Sequence, residues 1–209
     1  MKDDMDKIYR TVPLERIPWN SETPPEILVD LVRSGKVKPC RAIDLGCGAG
    51  NYALFLAGAG FDMTGVDISP RAIEIARENA ATTGIRCTFL VADLLGDLHE
   101  IRDTFEFAYD WEVLHHIFPE DRERYVRNVH RILRPGGKYL SVCFSEEDPQ
   151  FGGSGKFRKT PLGTTLYFSS EKELQDLFRP YFAVKSLTTR EVRGKYGPHL
   201  AICAFLGKH

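Results

Sequence analysis

The sequence predicts an α/β protein with a mainly parallel sheet that helices cover on both faces. Between residues 41 and 145, short apolar runs alternate with amphipathic stretches, as in consecutive βαβ units. Nearer the C-terminus the pattern changes, because apolar runs at 182–189 and 199–205 are joined through a turn segment at 194–198. This spacing favours an antiparallel hairpin at the end of the sheet.

The individual elements follow from local signals. Five apolar runs are predicted as strands, at 41–45, 61–66, 87–92, 105–111 and 137–144. Helices are predicted at 52–59, 70–83, 120–133 and 169–178, with a further weak helix between the third and fourth strands. The second helix has the clearest limits, because Ser69 is a typical N-cap, Pro70 suits the first helical position and Gly84 suits a helix end.

Two segments lie outside the alternating core. At the front, the run Thr23-Pro24-Pro25-Glu26 has the form of a capping box and predicts a helix that ends at Gly35. The segment 146–166 has little periodicity, and a loop of this length in a compact domain is usually functional or disordered. We predict one domain over 1–209, comprising a front lid and helix (1–35), a core (41–145), an active-site loop (146–166) and a C-terminal helix and hairpin (167–209).

Composition excludes several classes of protein. The 209 residues carry 28 Lys+Arg against 29 Asp+Glu, so the net charge of −1 gives no strong field for nucleic acid or an acidic membrane. No apolar stretch is long enough to span a bilayer, and the polar start MKDDMDKIYR is unlike a signal peptide. The five scattered cysteines contain no CxxC pair, which argues against a disulfide framework or a metal site. We expect a cytoplasmic protein without metal, nucleic-acid or membrane partners, and the oligomeric state stays open.

The strongest chemical signal is a glycine-rich turn after the first predicted strand. Residues 44–50 read Asp-Leu-Gly-Cys-Gly-Ala-Gly, and the next helix follows directly. Glycines allow a tight turn and a close approach of the backbone to a ligand. The spacing is GxGxG, unlike the GxGxxG of dinucleotide-binding proteins, and an acid before the first glycine suits a positively charged ligand. A plain strand-to-helix turn is the alternative interpretation.

Acidic residues end the next three predicted strands, at Asp67, Asp93 and Asp110. The carboxyl ends of parallel strands share one edge of the sheet, where open α/β sheets bind ligands. Asp67 could accept both hydroxyls of a ribose, and Asp93 could accept from an adenine amino group. Helix capping by Asp67 and a simple loop position for Asp93 are the alternatives.

From about residue 40 to residue 144, the chain resembles the class I S-adenosylmethionine-dependent methyltransferases. The motifs at 44–50, 65–69 (Gly-Val-Asp-Ile-Ser), 92–94 (Ala-Asp-Leu) and 133–137 (Leu-Arg-Pro-Gly-Gly) stand in that family's order and spacing. The resemblance implies a Rossmann-like, doubly wound sheet of seven strands, mostly parallel with an antiparallel last strand. It also implies S-adenosyl-L-methionine as cofactor and S-adenosyl-L-homocysteine as product.

The resemblance also assigns roles to residues. Gly46, Gly48 and Gly50 would approach the cofactor, and Asp44 would lie near its amino-acid end. Asp67 would bind the ribose, Ile68 would pack on the adenine and Asp93 would bind the adenine amino group. The predicted cofactor-binding residues are Asp44, Gly46, Cys47, Gly48, Gly50, Asp67, Ile68, Ala92, Asp93, Leu94 and Asp110.

The front segment is similar to one branch of this family. Pro18-Trp19-Asn20, the following 22–26 and the run 168–174 resemble the tellurite-resistance and thiol S-methyltransferase branch. That resemblance implies that a tryptophan-containing segment folds over cofactor and acceptor. An aromatic residue that pins the front of the chain to the core is the alternative role for Trp19.

Several of the residues that would bind the methyl acceptor are predicted to follow the fourth strand. His115 and His116 are candidate catalytic bases, and Tyr9, Trp19, Trp111 and His115 are candidate substrate contacts, with core packing as the alternative. Tyr109 could also line this pocket, and the cluster Lys156, Arg158 and Lys159 could meet an anionic acceptor unless it is a solvated loop.

The expected reaction is an in-line methyl transfer to a small molecule, in which positioning supplies much of the catalysis. A thiolate or chalcogen acceptor needs no base at the moment of transfer, whereas a hydroxyl, amine or acidic carbon can need one. The resemblance to the tellurite-resistance and thiol S-methyltransferase branch implies a thiol or chalcogen acceptor, which we expect here. The alternatives are O-, N- or C-methyl transfer with His115 or His116 as base, an NAD(P)-dependent oxidoreductase, or a cofactor-binding protein without catalysis.

Overall fold

The computed structural model of the chain describes residues 2–209, which divide into two compact units, the first ending at Phe107 and the second spanning Ala108–His209. The helices are α1 (Lys2–Thr11), α2 (Glu26–Arg33), α3 (Asn51–Gly58), α4 (Pro70–Thr83), α5 (Pro119–Ile132) and α6 (Glu171–Phe178). The strands are β1 (Arg41–Leu45), β2 (Asp62–Asp67), β3 (Thr88–Val91), β4 (Phe105–Trp111), β5 (Leu133–Phe144), β6 (Phe157–Lys159), β7 (Thr165–Tyr167), β8 (Phe182–Gly194) and β9 (Gly197–Lys208). Short 3-10 turns lie at Leu14–Arg16 and Leu114–His116.

The main sheet has seven strands in the order β3-β2-β1-β4-β5-β9-β8. Strand β1 pairs in parallel with β2, and β2 pairs in parallel with β3. Strand β9 runs antiparallel to β5 on one side and to β8 on the other. The predicted α/β fold, the seven strands and the antiparallel last strand are therefore confirmed.

The first unit forms because its strands are apolar and its helices are well delimited. Strand β1 is buried from Ala42 to Leu45, as expected for a strand covered on both faces. The side chain of Ser69 accepts from the Ala72 N–H at the start of α4, and Gly84 ends this helix with a left-handed φ of 69°. The predicted limits of α4 are confirmed, and they fix the chain direction just after β2.

Aromatic packing forms the core of the second unit. Tyr139 contacts both Phe178 and Phe182, with ring centroids 5.9 and 5.5 Å apart, and all three side chains are essentially buried. Helix α6 begins with a complete capping box in which Ser170 and Glu173 exchange hydrogen bonds. Strands β8 and β9 form the predicted hairpin, but pairing continues to Gly194 and Gly197, so both strands are longer than predicted.

Four local predictions were wrong or incomplete. Helix α1 was not predicted. Helix α2 has Pro25 as N-cap without a side-chain cap bond, so the expected capping box at Thr23 does not form. The weak helix expected between β3 and β4 is absent from the described chain. The segment 146–166 contains β6 and most of β7, which pair antiparallel as a small second sheet.

No helix within residues 2–209 combines the length and the apolar character that crossing a membrane requires.

Candidate active site

The glycine-rich turn joins β1 to α3 and is held by its own backbone. The N–H groups of Gly46 and Cys47 both donate to the Val66 carbonyl, at 2.8 and 2.9 Å. The Gly50 N–H donates to the Cys47 carbonyl, and Gly48 and Gly50 adopt left-handed φ values of 52° and 79°. Four N–H groups of this turn, including that of Gly48, are thus used inside the first unit. A turn with its N–H groups already engaged is poorly suited to a pyrophosphate, which binds through such donors.

Asp67 connects this turn to the start of α4. Its buried carboxylate accepts from the Gly48 N–H at 2.9 Å and from the Ser69 N–H at 2.8 Å. Burial raises the pKa of Asp67, while these backbone hydrogen bonds oppose the shift. Each carboxylate oxygen can accept a second hydrogen bond, so the residue can still receive ligand hydroxyls.

The other predicted residues of this edge are also placed at strand ends. Asp44 is buried near the end of β1, and Ile68 is half-buried directly after β2. Ala92 is buried after β3, and its N–H donates to the Asp67 carbonyl at 3.0 Å. Asp93 is exposed, with one carboxylate oxygen 2.9 Å from the Leu95 N–H, and Leu94 is half-buried beside it. The first unit therefore brings ten of the predicted cofactor residues to one edge.

The front segment packs directly on the glycine-rich turn. The Tyr9 hydroxyl accepts from the Trp19 indole N–H at 2.9 Å. A Cβ atom on Gly48 would lie 2.5 Å from the Tyr9 hydroxyl oxygen, so only glycine permits this approach. Burial raises the pKa of Tyr9, and the charge of Asp67 adds to this shift. Tyr9 and Trp19 are thus brought together with the turn.

Two further contacts of the front segment were not predicted. The Asn51 side chain at the start of α3 donates to Asn20 Oδ1 and the Ser21 carbonyl, at 3.0 and 3.1 Å. The Asp6 carboxylate accepts from the Ser69 hydroxyl at 2.8 Å and the Arg71 N–H at 3.0 Å. These residues are ordinary polar side chains in the sequence, so no local signal could reveal the pairing.

The Asp110 side chain, in the second unit, is held by hydrogen bonds to neighbouring side chains. Its fully buried carboxylate accepts from the hydroxyls of Tyr125 at 3.0 Å, Ser141 at 3.2 Å and Tyr139. Burial raises the pKa of Asp110 to about 6, although these hydrogen bonds oppose the shift. Both oxygens connect β4 with α5 and β5, so the geometry gives no support to the predicted cofactor contact of this side chain.

The two candidate catalytic histidines lie in the 3-10 turn after β4. His115 is buried and stacks on Phe144, with ring centroids 4.2 Å apart, and its Nδ1 accepts from the Phe144 N–H at 3.4 Å. Burial lowers the pKa of His115 well below its usual value, and positive charge from His116, Arg122 and His199 adds to this. Burial also lowers the pKa of half-buried His116, to about 4. Both imidazoles are neutral at pH 7.

Glu112 is a residue that sequence analysis did not select. It follows β4 directly and has a φ of 64°, which is rare for a residue other than glycine. The Trp111 side chain hydrogen-bonds to its carboxylate. Burial raises the pKa of Glu112 to about 7, and the charge of Asp148 adds to the shift. The structure therefore places an ionisable carboxyl group beside Trp111, three residues before His115.

The segment 146–166 is held by Arg158 rather than left as an open loop. The buried guanidinium of Arg158 donates to the carbonyls of Glu146 at 2.7 Å, Gln150 at 3.0 Å, Gly155 at 2.9 Å and Asp148. Lys156 forms ion pairs with Glu146 and Glu173, both at 2.6 Å, and Lys159 is exposed. Two of the three basic residues are thus engaged within the second unit. Lys156 meets carboxylates of the protein itself, whereas the exposed Lys159 fits the alternative of a solvated loop.

Comparison with known proteins decides the class of this site. Residues 42–137 match the family model described as a methyltransferase domain. These residues form a class I S-adenosylmethionine-dependent methyltransferase domain. The matched range includes the glycine-rich turn, Asp67 and the strand ends described above, so the resemblance to this family is confirmed.

Several relatives of the methyltransferase cover most of its length. A 2-heptyl-1-hydroxyquinolin-4(1H)-one methyltransferase of Mycobacteroides abscessus is 28% identical over 90% of this chain and 80% of that protein. A thiocyanate methyltransferase of Brassica oleracea is 25% identical over 86% of this chain and 78% of that protein. A solved structure described as "Conversion of a Disulfide Bond into a Thioacetal Group during Echinomycin Biosynthesis" has 26% identity and a TM-score of 0.83, covering 100% of this chain and 93% of that chain.

The residues of the methyltransferase fit its cofactor. The N–H groups of Gly46, Cys47, Gly48 and Gly50 are already engaged within the first unit, which suits a ligand without phosphate and disfavours the NAD(P) alternative. Carboxylates at Asp44 and Asp67 suit an ammonium group and a diol, respectively. When bound, the cofactor supplies a methyl group on a positively charged sulfonium. Among residues 2–209, no group of three or more His, Cys, Asp or Glu side chains is arranged to hold a metal ion.

Proposed function

We propose that the methyltransferase transfers the methyl group to the sulfur of a small-molecule thiol, or to a related chalcogen. One observation carries this proposal: neither imidazole of the pair His115–His116 is suited to remove a proton. The His115 Nδ1 lone pair is occupied by the Phe144 N–H, which leaves its Nε2 as a donor in the neutral ring. The pKa of His116, lowered to about 4, makes that imidazole a weak base. The alternative that relies on these histidines therefore loses its support.

A thiol is the acceptor that loses its proton most readily near neutral pH. Free thiols have a pKa of about 8.5, and the thiolate is the reactive nucleophile. Soft sulfur also suits the aromatic stack that His115, Phe144 and His199 form in the second unit, with centroids 4.2 and 4.4 Å apart. The thiocyanate methyltransferase and the echinomycin thioacetal structure, both similar to this chain, carry sulfur chemistry in their descriptions.

The proposal assigns tasks to the residues of the first unit. Asp67 would accept the ribose hydroxyls, Asp93 would accept from the adenine amino group, and Ile68 would pack on the adenine. Asp44 would lie near the amino-acid end of the cofactor. The Tyr9–Trp19 pair would limit access of water to the methyl group, which allows positioning to dominate catalysis.

A hydroxyl on a heteroaromatic ring is the second candidate acceptor. The relative from Mycobacteroides abscessus acts on a 1-hydroxyquinolinone, and it aligns with most of this chain. The half-buried carboxyl of Glu112 favours this candidate as well, because it is a possible base. The two candidates differ in the atom that receives the methyl group.

An acceptor panel tests the proposal. Release of S-adenosylhomocysteine is measured with an alkyl thiol, an aryl thiol, selenite, tellurite, a phenol, an N-hydroxy heteroaromatic compound and an amine. We expect the thiols to give the highest kcat/KM. Turnover confined to the hydroxyl compounds would contradict the thiol proposal and favour the second candidate.

A further inference from the structure

The tip of the segment after β5 carries an aromatic residue with an unusual backbone conformation. Phe151 has a φ of 54°, in the left-handed region that bulky residues seldom occupy. Its neighbours Gly152, Gly153 and Gly155 have φ values of 91°, 65° and 75°, which glycine adopts readily. Within this tip, the unfavourable angle therefore falls on Phe151, and such angles persist where the surrounding contacts enforce them.

The contacts of the Phe151 side chain are aromatic. Its ring lies nearly parallel to the imidazole of His199, at an interplanar angle of 19° with centroids 5.8 Å apart. The ring centroids of Phe144 and Phe168 lie 6.4 and 6.3 Å from that of Phe151. We call the rings of Phe144, Phe168 and His199 the aromatic seat. Phe144 and Phe168 are buried and Phe151 is half-buried, so the seat belongs to the core while the ring that occupies it reaches the surface.

The aromatic seat is held together by contacts that do not use Phe151. The Phe144 ring lies 5.6 Å from Phe168 and 4.4 Å from His199, measured between centroids. The Arg158 guanidinium lies 4.0 Å above the centroid of the Phe168 ring. His199 Nδ1 lies 3.2 Å from Oδ2 of the buried Asp148. The seat should therefore keep its shape when the Phe151 ring leaves it.

The backbone around Phe151 permits this departure. The Arg158 guanidinium donates to the carbonyls of Gln150 at 3.0 Å and Gly155 at 2.9 Å, so one side chain fixes both ends of the tip. The residues 152–154 between these ends are exposed. A rotation confined to the tip would carry the Phe151 ring into solvent and release its unfavourable φ.

We propose that the aromatic seat is a binding site for a planar aromatic ring of a small molecule, and that Phe151 occupies it until such a ligand displaces it. The ring that fills the seat indicates the chemical class of the ligand, because another planar ring can make the same contacts. The exchange replaces one aromatic ring by another while the Phe151 backbone relaxes. This inference goes beyond the proposed function, since it concerns binding within the second unit and does not depend on the atom that receives a methyl group.

The first test removes the competing ring with F151G, in which glycine suits the φ of 54°. Ligand-observed NMR measures the dissociation constants of benzyl alcohol and of its saturated counterpart, cyclohexylmethanol. We expect F151G to bind benzyl alcohol roughly 10-fold or more tightly than the parent protein, because the binding-competent state becomes the dominant one. In F151G, benzyl alcohol should also bind roughly two- to tenfold more tightly than cyclohexylmethanol, the usual contribution of aromatic pairs. Equal affinities for the two alcohols would indicate a plain apolar cavity and overturn the proposal.

Two sets of control variants accompany this comparison. F157A removes the other exposed ring of the segment, which contacts Phe118 and Tyr167 and lies outside the seat, so it should bind benzyl alcohol like the parent. In the F151G background, H199F keeps a ring in the seat and H199L does not, while both lose the contact with Asp148. The H199F variant should retain the affinity for benzyl alcohol, and H199L should bind it roughly threefold or more weakly.

The second test follows Phe151 in the parent protein. The chain is labelled with para-fluorophenylalanine, and the fluorine resonance of Phe151 is assigned by its loss in F151L. Benzyl alcohol should move this resonance toward the position of a solvent-exposed ring and leave that of Phe157 in place. A Phe151 resonance that stays in place at the highest soluble concentration of benzyl alcohol would overturn the proposal, as would an F151G variant that binds no more tightly than F157A.

Discussion

Asp67 of the first unit combines a structural task with the ligand-binding task that we propose for it. Asp67 holds the N–H groups of Gly48 and Ser69, so it fixes the turn and the start of α4 before any ligand binds. Its remaining lone pairs are proposed to receive the ribose. A carboxylate preorganised in this way loses little freedom on binding, which favours affinity.

The first prediction concerns Asp67→Ala. A charge-assisted hydrogen bond contributes about 1.5–3 kcal/mol, so the loss of even one bond to the ribose should weaken adenosylmethionine binding by roughly 10- to 150-fold. Titration calorimetry measures this directly. Asp62→Ala, at the opposite end of β2, is the matched control and should leave the dissociation constant unchanged. An unchanged constant in Asp67→Ala would remove this residue from the binding site.

The second prediction concerns Gly48→Ala. The new Cβ would lie 2.5 Å from the Tyr9 hydroxyl oxygen at a φ of 52°, so the substitution adds a clash to backbone strain. The control Gly84→Ala has a φ of 69° but no atom within 4 Å, and it should cost only the strain, about 1–2 kcal/mol. We expect Gly48→Ala to cost more in urea unfolding, and Tyr9→Phe in that background to recover part of the loss. Equal costs for the two glycines would contradict the contact.

The sequence was sufficient to predict the glycine-rich turn but not the unusual backbone conformation of Glu112, and the reason is physical. The turn depends on local chemistry, since its glycines adopt left-handed angles within one short stretch. The angle at Glu112 depends on pairing with Val142, thirty residues away along the chain. Asp110 and Glu112 look alike in the sequence, and only the tertiary structure shows that three hydroxyl groups donate to Asp110.

At the scale of elements, α4 is fixed by local signals, whereas α1 is fixed by contacts with residues far away in the chain. Ser69, Pro70 and Gly84 fix α4 through neighbours in the chain, so both of its ends could be predicted. Helix α1 is held by Asp6 and Tyr9 against residues about forty to sixty positions away. Met5, Ile8 and Tyr9 of α1 do keep helical spacing, but this short, mostly polar stretch was not predicted as a helix.

The third prediction concerns the attachment of α1. Hydrogen bonds from Arg71, Arg10 and Ser69 oppose burial and lower the pKa of Asp6 from 3.8 to about 2. Because the folded protein holds the charged form, this stabilisation is complete above pH 3.8 and is lost as the pH falls to about 2. Asp6→Asn should therefore cost about 1 kcal/mol at pH 6, comparable to loss of a helix cap.

Urea unfolding at pH 6 and near pH 2 measures this difference. The parent protein and Asp6→Asn should differ at the higher pH and converge at the lower one. Asp3→Asn, an exposed acid of the same helix, is the control. A cost that is the same at both pH values would show that Asp6 acts through packing rather than charge.

At the scale of the whole molecule, the fold class could be predicted from the sequence, but the pairing of β6 with β7 could not. Alternating apolar and amphipathic stretches indicated βαβ units, and the family resemblance supplied the seven strands and the direction of the last one. The small sheet of β6 and β7 escaped prediction because each strand has three residues, too few for a period to show. Arginine side chains usually lie at the protein surface. The Arg158 side chain instead donates hydrogen bonds to backbone carbonyls of the segment 146–166.

The first unit carries the glycine turn, Asp67 and the Tyr9–Trp19 pair. We propose that the glycine turn and Asp67 bind the cofactor. The account as a whole requires that the methyl group reaches a sulfur atom.

One measurement tests this requirement directly. The enzyme is supplied with methyl-deuterated adenosylmethionine and a mercaptophenol, an acceptor that offers a thiol and a hydroxyl in the same molecule. Mass spectrometry and NMR of the product show which atom carries the label, and S-adenosylhomocysteine is counted in parallel. The account predicts one labelled methyl group on sulfur for each S-adenosylhomocysteine released. A label on oxygen, or S-adenosylhomocysteine without a methylated product, would contradict it.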